Sequence, residues 1–335
     1  MGKVAIVAGL ISFFTALLVT RGIIYLMNSR EVGQYIRSWG PKVHEHKSGT
    51  PTMGGVAILS GLAATVPFLW YYFPSGRNDL LLLLLGTFGF GFIGFLDDFF
   101  SIKKGEAEGL PPRGKLIAQI GLGILFVYLA LTITEGANQL LLPFSSLIWK
   151  SPPLFYALLT IFILVSTVNA VNLTDGLDGL AAGAVTISVL GFLAISGESG
   201  APLFIALIAG ILGFLWYNFY PAEIFMGDTG AFALGGFLVA AAVITGTELF
   251  LPLLGGLFVL DTLSVIFQVA YYRSTGGRIF KISPLHHHFE AAEGIDYGYL
   301  LPELEWDEPK ITARLLILHG IIAGIGLFGY FGWVV

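Results

Sequence analysis

The sequence contains no cysteine and little charge: only 12% of its 335 residues are Asp, Glu, Lys or Arg, against about a quarter in soluble domains. The first absence excludes a disulfide framework and a thiolate metal site. The second excludes an ordinary water-facing surface. Apolar residues fill the chain instead, at 56% of the total and a mean hydropathy of +0.82. A hydrocarbon core about 30 Å thick takes some 20 apolar residues per helix, and such runs recur from end to end. None of the stretches between them is long enough for a separate soluble domain, so residues 1–335 read as a single integral membrane unit.

Breaking the apolar runs at Pro, Gly and charge clusters predicts ten spans, near 4–27, 52–73, 79–96, 115–134, 153–171, 179–196, 201–217, 229–246, 250–272 and 312–334. The first, from Val4, lacks a small-residue cleavage pattern and is longer than a signal peptide's apolar region, so it reads as a retained span. The expected fold is an all-α polytopic membrane protein with both termini on one side. Arg30, Arg37, Lys42, Lys47, Lys103, Lys104, Arg113, Lys115, Arg273, Arg278, Lys281 and Lys310 fall on the side opposite the N-terminus, while the other side shows Lys3, Arg77 and Lys150. The positive-inside rule makes the basic face cytoplasmic and puts both termini outside. Glycines within spans, as at Gly86, Gly89, Gly91 and Gly94, suit close helix packing in lipid.

Carboxylates at membrane depth are costly and call for a reason. Asp97, Asp98, Asp175, Asp178 and Asp228 fall at the predicted cytoplasmic ends of spans, whereas the short turns of the other face hold Asp79, Glu135, Glu198 and Glu248. Asp97 and Asp98 close an apolar run. They suit a solvated helix end, Mg2+ capture or general-base work. Asn172, Asp175 and Asp178 lie three residues apart and would share one face of a helix, although Gly176 and Gly179 argue for a turn, and an Asx cap for a helix from Leu180 is the plain alternative. Asp228, in Phe-Met-Gly-Asp-Thr-Gly, reads as a helix N-cap that could also ligate a metal. His286, His287 and His288 form a run in the loop after the ninth span, which by itself is an ordinary solvated or metal-affine tract. Together, a basic face with clustered carboxylates and imidazoles describes a site for a phosphorylated substrate with a divalent cation, at the level of lipid headgroups. Asp261 is the exception: it lies twelve residues before Arg273, roughly 18 Å along a helix. Buried acids also mark ion paths in transporters, but these acids cluster at one face.

Six segments carry a resemblance that covers nearly the whole chain: Gly49-Thr-Pro-Thr-Met-Gly-Gly55, Asp97-Asp98, Asn172 to Gly179, Pro221-Ala-Glu-Ile-Phe-Met-Gly-Asp-Thr-Gly230, Pro284-Leu-His-His-His-Phe-Glu290 and Trp306 to Arg314. They resemble the phospho-N-acetylmuramoyl-pentapeptide transferases of the polyprenyl-phosphate N-acetylhexosamine 1-phosphate transferase superfamily. The His-His-His-Phe-Glu block is the most specific, and it disfavours the sister enzymes that take UDP-GlcNAc.

The resemblance implies a ten-helix fold with a cytoplasmic-face cleft in the bacterial cytoplasmic (inner) membrane. It also implies Mg2+ dependence and transfer of phospho-MurNAc-pentapeptide from UDP-MurNAc-pentapeptide to undecaprenyl phosphate, giving lipid I and UMP, the first membrane step of peptidoglycan synthesis. It admits a homodimer; no nucleic acid is expected as a partner. Residue by residue, it makes Asp228 the Mg2+ ligand and Asp97 the base toward the lipid phosphate, with Asp98 beside it. Asn172 and Asp175 would line the catalytic centre. Gly176, Leu177 and Asp178 with Phe225 and Lys47 would form the nucleoside pocket, Asn218 would lie near the nucleotide, and Thr52 falls in the first matching segment. His286, His287 and His288 would lie near the diphosphate or sugar. Direct attack by the lipid phosphate and a covalent phospho-aspartate both stay open.

The chain departs from the family pattern at Ser101 and Arg113, where lysine is usual, at Ala231, where serine is usual, and in a longer acidic stretch between Glu290 and Trp306. The expectation is that Arg113, with Lys103 or Lys104, supplies the phosphate-facing cation and that Ser101 is a bystander.

Overall fold

The computed structural model describes residues 2–30, 33, 49–106, 109–134, 136–198, 200–291, 295 and 297–333. Helices α1 (Gly2–Ser29) and α2 (Gly55–Tyr72) are followed by α3 (Arg77–Leu84), a π-turn at Leu85–Gly89 and α4 (Phe90–Lys104), which together make one long span. Then come α5 (Pro112–Ile133), a small hairpin of β1 (Gln139–Leu141) and β2 (Ile148–Lys150), α6 (Pro153–Thr174), α7 (Leu180–Ser196), α8 (Ala201–Asn218) and α9 (Gly227–Thr245). The ninth span is α10 (Leu251–Leu254) with α11 (Gly256–Thr275); the one-turn α12 (Leu285–His288) and the final α13 (Glu308–Phe331) complete the chain. Helix starts at Pro112 and Pro153 use proline where its missing N–H costs nothing.

Each of the ten predicted spans coincides with a helical segment, and two differ instructively. The third does not stop at 96: α4 runs on to Lys104, where Gly105 in the left-handed region (φ 68°) ends it. Asp97 and Asp98 therefore sit inside a helix, with nearly two turns beyond them. The ninth is broken at Gly255, its two pieces bent by 80°.

A broken helix inside lipid leaves backbone groups without partners, and these must be satisfied by protein. Here α7 and α13 supply them. Ser188 Oγ donates to the Leu254 carbonyl at 2.7 Å, and His319 Nδ1 accepts from the Leu257 N–H at 3.2 Å. His319 Nε2 in turn lies 3.1 Å from Ser188 Oγ and 3.0 Å from the Ala184 carbonyl.

Helix α9 is the centre of the bundle, buried at every residue from Thr229 to Val243. Lipid is as apolar as leucine, so association rests on close approach, not on hydrophobic expulsion. At Gly94 of α4 a Cβ would lie 2.1 Å from the Asp228 carbonyl oxygen, and at Gly55 of α2 a Cβ would lie 2.1 Å from the Gly230 nitrogen. Both helices are thereby pressed onto the first turn of α9. A larger residue at either position costs about 1–3 kcal/mol in overpacking and separates the groups described next. At the opposite end, Tyr156 donates to the buried Glu248 at 2.9 Å, tying α6 to the entry of the ninth span.

Candidate active site

The first turn of α9 is built by two other segments. Residues 51–55 run beside 225–226, with Phe225 N–H bonded to Pro51, Gly54 N–H to Phe225 and Gly55 N–H to Met226, all at 2.8–2.9 Å. Thr52 is buried there beside Gly227. The expected N-cap role of Asp228 is not what forms: the helix starts at Gly227, its cap position is Met226 without a side-chain bond, and Asp228 lies in the first turn. Asp98 does the capping from α4. Its carboxylate accepts the N–H groups of Asp228 (3.0 Å) and Thr229 (2.9 Å) and the Thr229 hydroxyl (2.5 Å). The Asp228 carboxylate is thus left free to face outward from the helix start.

What it faces is a cation. Lys115 Nζ lies 3.0 Å from Asp228 Oδ2 and 2.9 Å from Asp97 Oδ1. Asp228 Oδ1 accepts from Asn172 Nδ2 at 2.7 Å, and Asp97 Oδ1 also accepts the Leu110 N–H at 2.7 Å. Four helices, α4, α5, α6 and α9, each contribute one side chain to this centre. Lys115 is the residue that sequence reasoning counted among the basic ones without giving it a role. The signal was Pro112, which marks the start of α5 and so places Lys115 in its first turn. Of the cations expected to face the phosphate, Arg113 is exposed and Lys104 Nζ donates to the Gly109 carbonyl at 2.6 Å, while Ser101, expected to be a bystander, bonds the Glu106 carbonyl.

Asn172, Asp175 and Asp178 do not share a helix face. Helix α6 ends at Thr174, Asp175 leaves the helical region (φ −78°, ψ 53°), and the chain turns through Gly179. Nor does the segment cap α7 with a side chain. Asn172 reaches Asp228, whereas Asp178 Oδ2 accepts the Ala222 N–H at 2.9 Å and its own N–H donates to Glu308 of α13 at 2.8 Å. Asn218, buried at the end of α8, joins the same two loops: Oδ1 accepts the Gly179 N–H at 3.2 Å and Nδ2 donates to the Ile224 carbonyl at 2.9 Å. The turn bearing Gly176, Leu177 and Asp178 is therefore tied to the loop bearing Phe225, which is half-buried. Lys47 lies outside the described residues.

The three histidines each take a different hydrogen-bond partner at Nδ1. His286 is fully buried, its Nδ1 2.9 Å from Asp261 Oδ2, so the acid that stood apart in the sequence belongs to this loop. His287 Nδ1 lies 2.8 Å from Glu290. His288 turns into the loop's interior, where Nδ1 accepts the Lys281 N–H at 3.1 Å; burial, and then the charge of Lys281, hold its imidazole below the ordinary range. Lys281 is itself fully buried, donates to the Glu290 carbonyl and lies 3.6 Å from Glu305, which answers one charge of the acidic stretch. Gln268 of α11 anchors the loop by accepting from Ile279 (2.9 Å) and Phe280 (3.0 Å). Trp306 stacks on Phe289 at 4.6 Å and is covered by Arg314.

Among the described residues, no group of three or more His, Cys, Asp or Glu side chains is arranged to hold a metal ion by itself. Mg2+ asks for less, since it binds through one or two carboxylates and completes its shell with water and substrate phosphate. Asp97 Oδ1 and Asp228 Oδ2 both come within 3.0 Å of a single ammonium. Two hard oxygen donors already converge on one positive charge, and that donor set fits Mg2+.

Residues 80–246 match the model of glycosyl transferase family 4, and residues 47–59 match signature 1 of phospho-N-acetylmuramoyl-pentapeptide-transferase. The phospho-N-acetylmuramoyl-pentapeptide-transferase of Desulforudis audaxviator is 41% identical, over 98% of this chain and 98% of its own. The protein of that name from Desulforamulus reducens is 40% identical over 95% of this chain and 93% of its own, and that from a Geobacillus species 40% over 97% and 98%. With that identity sustained across nearly the whole length, over the segments that build the Asp97–Lys115–Asp228 centre, the chain belongs to the phospho-N-acetylmuramoyl-pentapeptide-transferase family.

Proposed function

We propose that the chain transfers phospho-MurNAc-pentapeptide from UDP-MurNAc-pentapeptide to undecaprenyl phosphate, releasing UMP and forming lipid I, at the cytoplasmic face of the bacterial inner membrane. The observation that carries this reading is the Lys115 bridge between Asp97 and Asp228 at one end of a membrane bundle. A lipid headgroup and a water-soluble nucleotide can meet there.

The barrier to such a reaction lies in bringing two phosphate anions together and placing charge on the leaving UMP. In the direct route, an oxygen of the lipid phosphate attacks the phosphorus that bears the sugar, and the bond from that phosphorus to the UMP oxygen breaks as the new one forms. Asp97 accepts the proton of the lipid phosphate. The hydrogen bonds favour Asp97 over Asp98 in this role, because Asp98 is engaged in holding α9. Lys115 offsets the charge of the approaching phosphates, and Asn172 fixes the Asp228 carboxylate. Mg2+, held by Asp228 with Asp97, would supply further charge neutralisation for the substrate phosphates and the leaving group. Phe225 stacks on the uracil, worth roughly 1–3 kcal/mol by analogy with base stacking elsewhere. Gly176, Leu177, Asp178 and Asn218 frame the nucleotide, His287 faces the diphosphate or sugar, and Arg113 and Lys104 stand at the rim.

Release of UMP from UDP-MurNAc-pentapeptide by the purified protein, dependent on added undecaprenyl phosphate, tests the reading. Equal or faster turnover of UDP-GlcNAc would replace it with the sister reaction. One equivalent of UMP released without any lipid phosphate would replace the direct route with a phospho-enzyme.

A further inference from the structure

Asp261 stands within α11, its side chain fully buried, and no step above uses it. A buried carboxylate is tolerated only when its oxygens are hydrogen-bonded. Both are bonded to one residue: Oδ2 lies 2.9 Å from His286 Nδ1, and Oδ1 accepts the backbone N–H of His286 at 3.3 Å. With Oδ2 as the acceptor of that contact, the ring nitrogen facing it carries the hydrogen. His286 is thereby held with Nδ1–H toward α11 and Nε2 on the far side.

That Nε2 is buried and has no hydrogen-bond partner among the described residues. It is aimed at the turn after α6: a Cβ on Gly176 would lie 2.4 Å from it. The neighbouring residue repeats the arrangement. His287 Nδ1 lies 2.8 Å from Glu290, and its Nε2 lies 3.1 Å from the same absent Cβ. The two ring centroids are 4.2 Å apart. Two imidazoles, each oriented by its own carboxylate, converge on one stretch of backbone.

We infer that Asp261 is a positioning residue for the transfer reaction: by holding the Nδ1 hydrogen of His286 it keeps Nε2 under Gly176, where the ring supports the turn that carries Asp175 and Asp178. The relation is the one by which an acidic partner fixes the tautomer and orientation of a functional imidazole. It also gives residue 176 its identity, because only glycine leaves room for the ring. Asp261 touches no substrate, so its effect on the reaction travels through His286.

The test has a spectroscopic arm and a kinetic arm, of which only the kinetic one rests on the function proposed above. In protein labelled with 15N at its six histidines, His286→Gln identifies the His286 signals. The expected spectrum keeps a hydrogen on His286 Nδ1, and Asp261→Asn moves it to Nε2. A His286 that already carries its hydrogen on Nε2 alone in the unaltered protein, or an Nδ1 signal indifferent to Asp261→Asn, overturns the inference. The spectrum of the unaltered protein needs no Asp261 variant to fold. In the kinetic arm, Asp261→Asn should raise KM for UDP-MurNAc-pentapeptide about tenfold, the lower end of what loss of an orienting partner costs, with a smaller change in kcat. Added to His286→Gln, the same substitution should do less than about a twofold further harm, as expected when one residue acts only through the other. Multiplying losses would overturn the inference. Absence of UMP release by the unaltered protein would remove the proposed function instead, and the spectra would still decide the role of Asp261.

Discussion

Lys115 Nζ lies 3.0 Å from Asp228 Oδ2, joining the first turn of α5 to the first turn of α9. Because the same ammonium lies 2.9 Å from Asp97, its removal leaves two carboxylates facing one another without the lysine charge that joins them. Lys115→Ala should lower kcat/KM for UMP formation by roughly ten- to a hundredfold, the equivalent of about 1.5–3 kcal/mol for one charge-assisted contact. Arg113→Ala and Lys104→Ala should each cost less. A larger defect in Arg113→Ala than in Lys115→Ala would return the role to the residue first expected to hold it.

Asp98 should prove to be a residue of stability as much as of activity. Asp98→Ala strips a buried helix start of its acceptor, and each buried donor left without a partner costs about 1–3 kcal/mol. Thr229→Val removes only the hydroxyl arm and should cost about 1 kcal/mol. Thermal unfolding in detergent checks both. An Asp98→Ala protein as stable as the original would show that α9 caps itself by other means.

Mg2+ dependence should run through Asp228. Asp228→Asn keeps the shape and the Asn172 contact while removing the charge, so half-saturation by Mg2+ should move to higher concentration and turnover should fall at limiting metal. Near-normal turnover of this variant at low Mg2+ would end the ligand assignment.

The loop that carries the histidines should loosen in acid. Burial holds His288 below its ordinary value of 6.5, so as pH falls the unfolded chain binds this proton before the folded loop does. The stability His288 contributes is complete above about pH 6.5 and declines as pH drops from there toward the lower folded value. Protonation also removes the Nδ1 lone pair that accepts from Lys281. Hydrogen exchange across residues 279–290, corrected for intrinsic rates, should accelerate between pH 7 and 5, and His288→Gln should flatten the response. Exchange that is flat in the unaltered protein over this range would count against it.

The helices were legible because lipid imposes one rule on long segments: apolar throughout and about 20 residues. Their ends were not. After Asp98 the sequence continues Phe-Phe-Ser-Ile-Lys-Lys, and nothing in hydropathy distinguishes a helix leaving the bilayer from a loop. The adjacency of Asp97 and Asp98 was plain, but their division of labour comes from the roughly 100° between successive residues on a helix. That rotation turns Asp97 toward Lys115 of α5 and Asp98 toward Thr229 of α9. The partners of Asp228 were hidden for a related reason: Lys115 and Asn172 lie 113 and 56 residues away along the chain, and a single sequence does not announce such pairings. The histidine run looked like one feature and is three, since a single helical turn sends each ring to a different partner.

The break at Gly255 alters what a position in the sequence means. In a straight span, counting residues measures depth at about 1.5 Å each, and by that ruler Asp261 was an acid stranded in the bilayer. Past an 80° corner the ruler turns with the helix, so each further residue advances mostly along a new direction. Hydropathy plots draw every span as a vertical line. Asp261 lies just past that corner on α11, and the chain that follows the span folds back so that His286 meets it there.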